Sequence, residues 1–198
     1  TATVERIAAT TIFFFFDITK YMEYTELTTT FNVGEKVFYP TIGICTVEKE
    51  ELRGDKTYLK LFSPSQDSVI LLPRDNASSL GLRKLTDKES LKKALSILSS
   101  KIEAPSFWKE RVERNQSLLK EGSVEALCKI ISNLYSRQKI KELPTIEKRL
   151  YDNALDMLIS EAMSVLKKSE EDIRKIIFSY LEDGAEFRFN CNSSRVIS

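Results

Sequence analysis

The sequence predicts an α+β fold: a small β barrel or sandwich followed by a bundle of about five helices. Three observations carry that expectation. From Phe31 to Pro73, short β-type runs alternate with turn residues about every eight to twelve positions. From Thr86 onward the apolar residues recur with helical spacing. Strands come first and helices after, which excludes the repeating βα units of nucleotide-binding sheets, and no phosphate-cradling loop occurs among the six glycines.

Residues 1–30 read as an N-terminal extension, peripheral or disordered. Phe13–Phe16 is sticky but has no sustained period, and Met22 makes a plausible start behind 21 upstream residues. Val33–Pro40 is a strand entered through a glycine turn and stopped by proline. Thr41-Ile42-Gly43 turns the chain into a second strand, Ile44–Lys49. Leu52-Arg53-Gly54-Asp55 is a hairpin turn, and Thr57–Phe62 is the third strand. Pro64–Asp67 turns again into Ser68–Leu72, which Pro73 closes. Residues 31–85 thus form a β module with a thin core, of the kind used for docking, with a strand edge open to a partner's strand.

Residues 86–182 read as the helical domain. Thr86-Asp87-Lys88-Glu89 is spaced as a capping box, ahead of Leu91, Ala94, Leu95 and Leu98. Pro105-Ser106 starts a second helix through Trp108, Val112, Leu118 and Leu119, with Ser106 as its cap and Gly122 as its stop. Ser123 caps a third helix carrying Val124, Leu127, Ile130, Ile131 and Leu134. Leu143-Pro144-Thr145 breaks it and caps a fourth, with Leu150, Ala154, Leu155, Leu158, Ile159 and Ala162 in register. Ser169-Glu170-Glu171-Asp172 opens the last helix, which Gly184 is expected to end, and residues 183–198 form a tail.

Composition removes several chemistries. Histidine is absent, so Ser-His-Asp and Cys-His catalysis and histidine metal sites are excluded. Cys45, Cys128 and Cys191 are too far apart for a CxxC site, and so few thiols fit a reducing cytoplasm. The longest apolar run, Ile12–Phe16, is far short of the roughly 20 residues that span a bilayer. Acid pairs such as Glu50-Glu51, Glu170-Glu171 and Glu182-Asp183 fall on turns and helix ends, where solvation and the helix dipole explain them. The sequence therefore points to a protein that is not an enzyme, with no cofactor, no metal site and no catalytic residue.

Charge is distributed unevenly although the net value is only +1. Lys109–Arg149 holds ten Lys/Arg against six Asp/Glu, and Leu150–Glu186 four against nine. Within the basic half stands Trp108, the single tryptophan, with Lys109, Arg111 and Arg114 close by. Core filling is the ordinary role of such an aromatic. The sharper reading is an apolar wedge beside cations, suited to a nucleic-acid backbone and a distorted base step. Glu147-Lys148-Arg149 begins the fourth helix. If the two helix starts converge, Lys148 joins the same phosphate-contacting patch.

Phe31-x-Val33-Gly34-Glu35-Lys36-Val37-x-Tyr39-Pro40-x-x-Gly43 resembles the opening of the CarD/CdnL family of bacterial transcription regulators. So do Leu71-Leu72-Pro73-x-x-Asn76-Ala77 and Gly81-Leu82-Arg83, the tryptophan-basic helix, Gly122-Ser123, and Leu143-x-x-x-Glu147-Lys148-Arg149-Leu150. The likeness runs from about Phe31 to about Leu181, and the order of its motifs makes it specific. It implies a Tudor-like barrel over 31–85 that binds the RNA polymerase β subunit through Ser68, Val69, Ile70, Leu71 and Leu72, with the turn at Arg53. It implies that the helical domain lies on promoter DNA at the upstream edge of the transcription bubble. There Trp108 would wedge into the minor groove and stabilise the open complex, with Lys109, Arg111, Arg114 and Lys148 on phosphates.

Such contacts are largely independent of sequence. The resemblance further implies a cytoplasmic, nucleoid-associated protein that touches no membrane, and a monomer is expected. Glu110 and Glu113 stand where the family commonly carries more cations. Facing DNA they would lower affinity; facing solvent they would leave the cations in use. A protein-interaction module that docks on polymerase or a repair factor without DNA contact is the competing reading.

Overall fold

The computed structural model describes residues 30–182 and the backbone of 183–193, apart from residues 101, 103 and 104. The expectations for residues 1–29 and 194–198 lie outside the described residues. From Phe31 the chain is α+β, with one antiparallel sheet followed by five helices.

The strands are β1 (Lys36–Tyr39), β2 (Gly43–Arg53), β3 (Lys56–Ser63), β4 (Ser68–Pro73) and β5 (Arg83–Lys84), ordered β4-β3-β2-β1-β5. β2 runs four residues beyond the expected Lys49 to Arg53, so that Gly54-Asp55 alone makes the turn into β3. A register shift between Val47 and Lys49 bends β2 and sends Glu48 outward, where Lys60 meets it at 2.7 Å.

The sheet is open, which corrects the expectation of a closed Tudor-like barrel. Closure needs β4 to meet β5, but β5 is two residues long and pairs only with β1, while β4 pairs only with β3. Two other surfaces satisfy the sheet instead. On one face Val37, Cys45, Val47, Leu59, Leu61 and Leu72 pack with Phe31, Ala77 and Leu82 into a small core. On the other, Phe38 is buried in the helical core, with its cross-strand partner Ile44 packed against that core. The bundle covers what barrel closure would otherwise have to cover.

The helices are α1 (Lys88–Leu95), α2 (Trp108–Glu121), α3 (Val124–Gln138), α4 (Thr145–Leu166) and α5 (Glu170–Ser193). Their starts depart from expectation where a side chain has a better partner. Asp87, not Thr86, caps α1, accepting the Glu89 and Ser90 amides at 2.9 Å each. Thr86 is engaged elsewhere, donating its amide to Glu161. Ser106 does not cap α2; Phe107 holds that position without a side-chain cap. Pro144 likewise precedes α4 without one, so Thr145 is a helical residue, not its cap. Ser123 caps α3 as expected, accepting from the Ala126 amide at 3.1 Å. α5 continues through Gly184 to Ser193 instead of stopping at the glycine.

Sheet and bundle meet at a joint. Arg83 on β5 donates both terminal nitrogens to Glu161 of α4, at 2.7 and 2.8 Å, and donates twice more to the Gly122 carbonyl at the end of α2. Its guanidinium also lies 4.1 Å from the centre of the Phe38 ring. Pro40 sits between two glycines: an added Cβ would stand 2.7 Å from its ring at Gly81 and 3.0 Å at Gly122. Gly122 also carries φ +66 at the helix end, which a side chain would strain.

Candidate functional sites

The first candidate site is built by three helix ends. α2 begins at Trp108, α3 ends at Gln138 and α4 begins at Thr145. Glu147, in the first turn of α4, is 1% exposed and accepts from Arg111 Nε at 2.8 Å. Its other carboxylate oxygen lies 3.4 Å from Arg137 Nε in the last turn of α3. The starts of α2 and α4 thus converge through the Arg111–Glu147 pair.

At this convergence the apolar residues stand outward. Phe107 is 53%, Trp108 48% and Ile146 49% exposed. An indole left half in water gains less from burial than one in a core. Lys109 is exposed with its ammonium 5.8 Å from the Trp108 ring centre, within cation–π range. Arg114 and Lys148 are exposed as well.

Arg111 is a correction. It is 2% exposed, and its guanidinium is spent on Glu147 and on the carbonyls of Pro105 and Ser106, at 3.0 and 2.6 Å. A guanidinium buried in this way, held through Nε and one terminal nitrogen, does not reach a phosphate. Glu110 and Glu113 are both exposed. Two further exposed cations were not singled out from the sequence, Lys139 and Lys141 after α3, while Arg149 of the Glu147-Lys148-Arg149 run is exposed on α4. The alternation Arg137-x-Lys139-x-Lys141 was their signal; what gives it meaning is the tie between Arg137 and Glu147.

The second candidate site is the β4 edge. β4 pairs with β3 from Ser68↔Ser63 to Pro73↔Tyr58, and its outer edge meets no strand among the described residues. Val69 is 51% exposed, with Ser68, Ile70 and Leu71 half-buried. Leu72 is 6% exposed in the small core, so its side chain is closed to a partner and only its main chain is offered there. Arg53, exposed at the hairpin end of β2, donates to Glu51 at 2.8 and 3.2 Å. The Lys49 ammonium and then the Arg53 guanidinium hold the Glu51 carboxyl below its ordinary pKa. Leu52 beside it is 76% exposed.

Other chemistry is sparse. Among the described residues no group of three His, Cys, Asp or Glu could hold a metal ion, and no helix is long and apolar enough to cross a membrane. Cys45 and Cys128 are buried free thiols; burial pushes Cys45 up to about 11 and raises Cys128 further.

Comparison with known proteins finds two matching domain families and relatives among curated proteins. Residues 31–86 match the CarD-like/TRCF RID domain, and residues 93–178 match the CarD C-terminal domain. A Bacillus subtilis (strain 168) protein named "Putative transcription factor YdeB" is 26% identical over 149 residues, covering 73% of this chain and 97% of its own.

Proposed function

The chain belongs to the CarD/CdnL family of transcription regulators, and from that premise we propose that it binds RNA polymerase and promoter DNA together and prolongs the open complex. Residues 31–85 are the polymerase-docking module. The β4 edge from Ser68 to Leu72 adds a strand to the β subunit, with Val69 and Leu71 supplying side-chain contact and Arg53 at the rim. Residues 86–182 are the DNA module, placed at the upstream edge of the bubble.

The observation that carries the DNA contact is the position of Trp108. The one tryptophan of the chain stands half-exposed at a helix start, among exposed Lys109, Arg114 and Lys148, instead of in either core. A flat apolar side chain inserted at an unstacked minor-groove step resists bubble collapse, while the cations hold flanking phosphates. Neither contact reads bases, so polymerase supplies the address. The role is non-enzymatic, and its chemistry consists of contacts alone.

A second reading has its own support. Glu110 and Glu113 are exposed between the cations and the net charge is only +1, as suits a docking module that leaves DNA alone. Anisotropy of a labelled forked promoter duplex, titrated with the full chain with and without polymerase, separates the two. Polymerase-dependent binding that Trp108→Ala abolishes supports the wedge. Capture of polymerase with no change at the fork supports docking alone.

A further inference from the structure

The start of α2 lacks the side-chain cap that normally fixes a helix entry, yet it carries the residue on which the proposed DNA contact depends. Arg111 does the fixing. One terminal nitrogen grips the carbonyls of Pro105 and Ser106, the two residues that lead into Phe107 and Trp108. Its Nε is anchored to Glu147, which α4 holds in a site 1% exposed. Arg137 Nε, in the last turn of α3, stands 3.4 Å from the other oxygen of that carboxylate, within ion-pair distance but without a hydrogen bond.

We propose that Arg111 and Glu147 are positioning residues for Trp108. Their pair clamps the Pro105–Trp108 segment so that the indole projects from the bundle in one orientation and does not fold back onto its surface. Arginine suits the task where lysine does not: its planar fork reaches two carbonyls and a carboxylate at once, in fixed directions. The pair is worth more to orientation than to stability, because a buried ion pair can often be exchanged for apolar residues of like volume without loss of stability. The inference rests on reading Trp108 as the DNA-contacting group.

The test therefore separates orientation from folding. The full-length double variant Arg111→Met with Glu147→Leu keeps the volume and removes the clamp. Three quantities are read: the melting temperature, the rotational freedom of the single tryptophan by time-resolved fluorescence anisotropy, and affinity for a labelled forked duplex in the presence of polymerase. The expected result is an unchanged or higher melting temperature, a more mobile indole and affinity about tenfold weaker, the scale of re-ordering a freed aromatic anchor. Wild-type affinity and wild-type indole mobility in the folded double variant would overturn the clamp, while a loss on Trp108→Ala left the wedge standing. Wild-type affinity in Trp108→Ala would overturn the wedge and the clamp with it. If the double variant does not fold, Arg111→Lys decides. Lysine keeps the charge near Glu147 but cannot span the carbonyls, so a mobile indole and weakened binding uphold the clamp, and an unchanged indole and fork affinity refute it.

Discussion

Trp108 and Arg111 lie one helical turn apart and have opposite fates, because one sits on the buried stripe of α2 and the other just off it. Arg111, Val112, Asn115 and Leu119 are the buried residues of that helix. The apolar spacing of Val112 and Leu119 already marked this stripe, so the burial of Arg111 was legible by extending it upward. Its partner was not, since Glu147 lies 36 residues away and only packing joins them. The exposure of Trp108 was equally hidden, as residue type alone favours a core. Because the indole is half in water, Trp108→Ala should move stability by no more than about 0.5–1 kcal/mol, checked by thermal melting.

At the scale of elements, the caps and edges make their own predictions. Asp87 at the start of α1 is held below its ordinary pKa of 3.8 by the Ser90 hydroxyl first, then by the Ser90 amide. A depressed carboxyl contributes stability above its unfolded pKa and loses it as pH falls through the folded one. Asp87→Ala should therefore lower stability at pH 7, with the difference from wild type shrinking below about pH 4, as urea melts at both pH values would register. The β4 edge makes a different prediction. Val69→Asp puts a charge on a position 51% exposed, so the fold should survive while polymerase capture by the full chain drops several-fold. Undiminished capture would move the docking site elsewhere. Four strands, and which of them had turns between, were legible from alternation and punctuation. β5 was not, because two residues carry no period, and the openness of the sheet followed from it.

Across the whole molecule, the joint at Arg83, Glu161, Gly122 and Pro40 gives the resembling motifs a physical meaning. Tyr39-Pro40, Gly81-Leu82-Arg83 and Gly122-Ser123 are distant in sequence and meet at one place. Glu161 is fully buried on the inner stripe of α4, and deleting it strands the Arg83 guanidinium. Glu161→Ala should cost about 3–5 kcal/mol, read as a large fall in melting temperature. Phe38 belongs to the helical core although it lies on β1, so residues 31–85 alone would expose it. Polymerase binding is better tested on the full chain than on that fragment. A joint this tightly packed couples the sheet to the bundle, as the proposed simultaneous hold on polymerase and DNA would require.

Open-complex lifetime joins these scales in one number. Polymerase is allowed to open a promoter, free complexes are trapped with competitor, and decay is followed with wild-type protein, Trp108→Ala or buffer. Wild type should lengthen the half-life, and Trp108→Ala should return it to within about twofold of buffer while still binding polymerase. A Trp108→Ala protein that is folded, polymerase-bound and as effective as wild type would contradict the wedge.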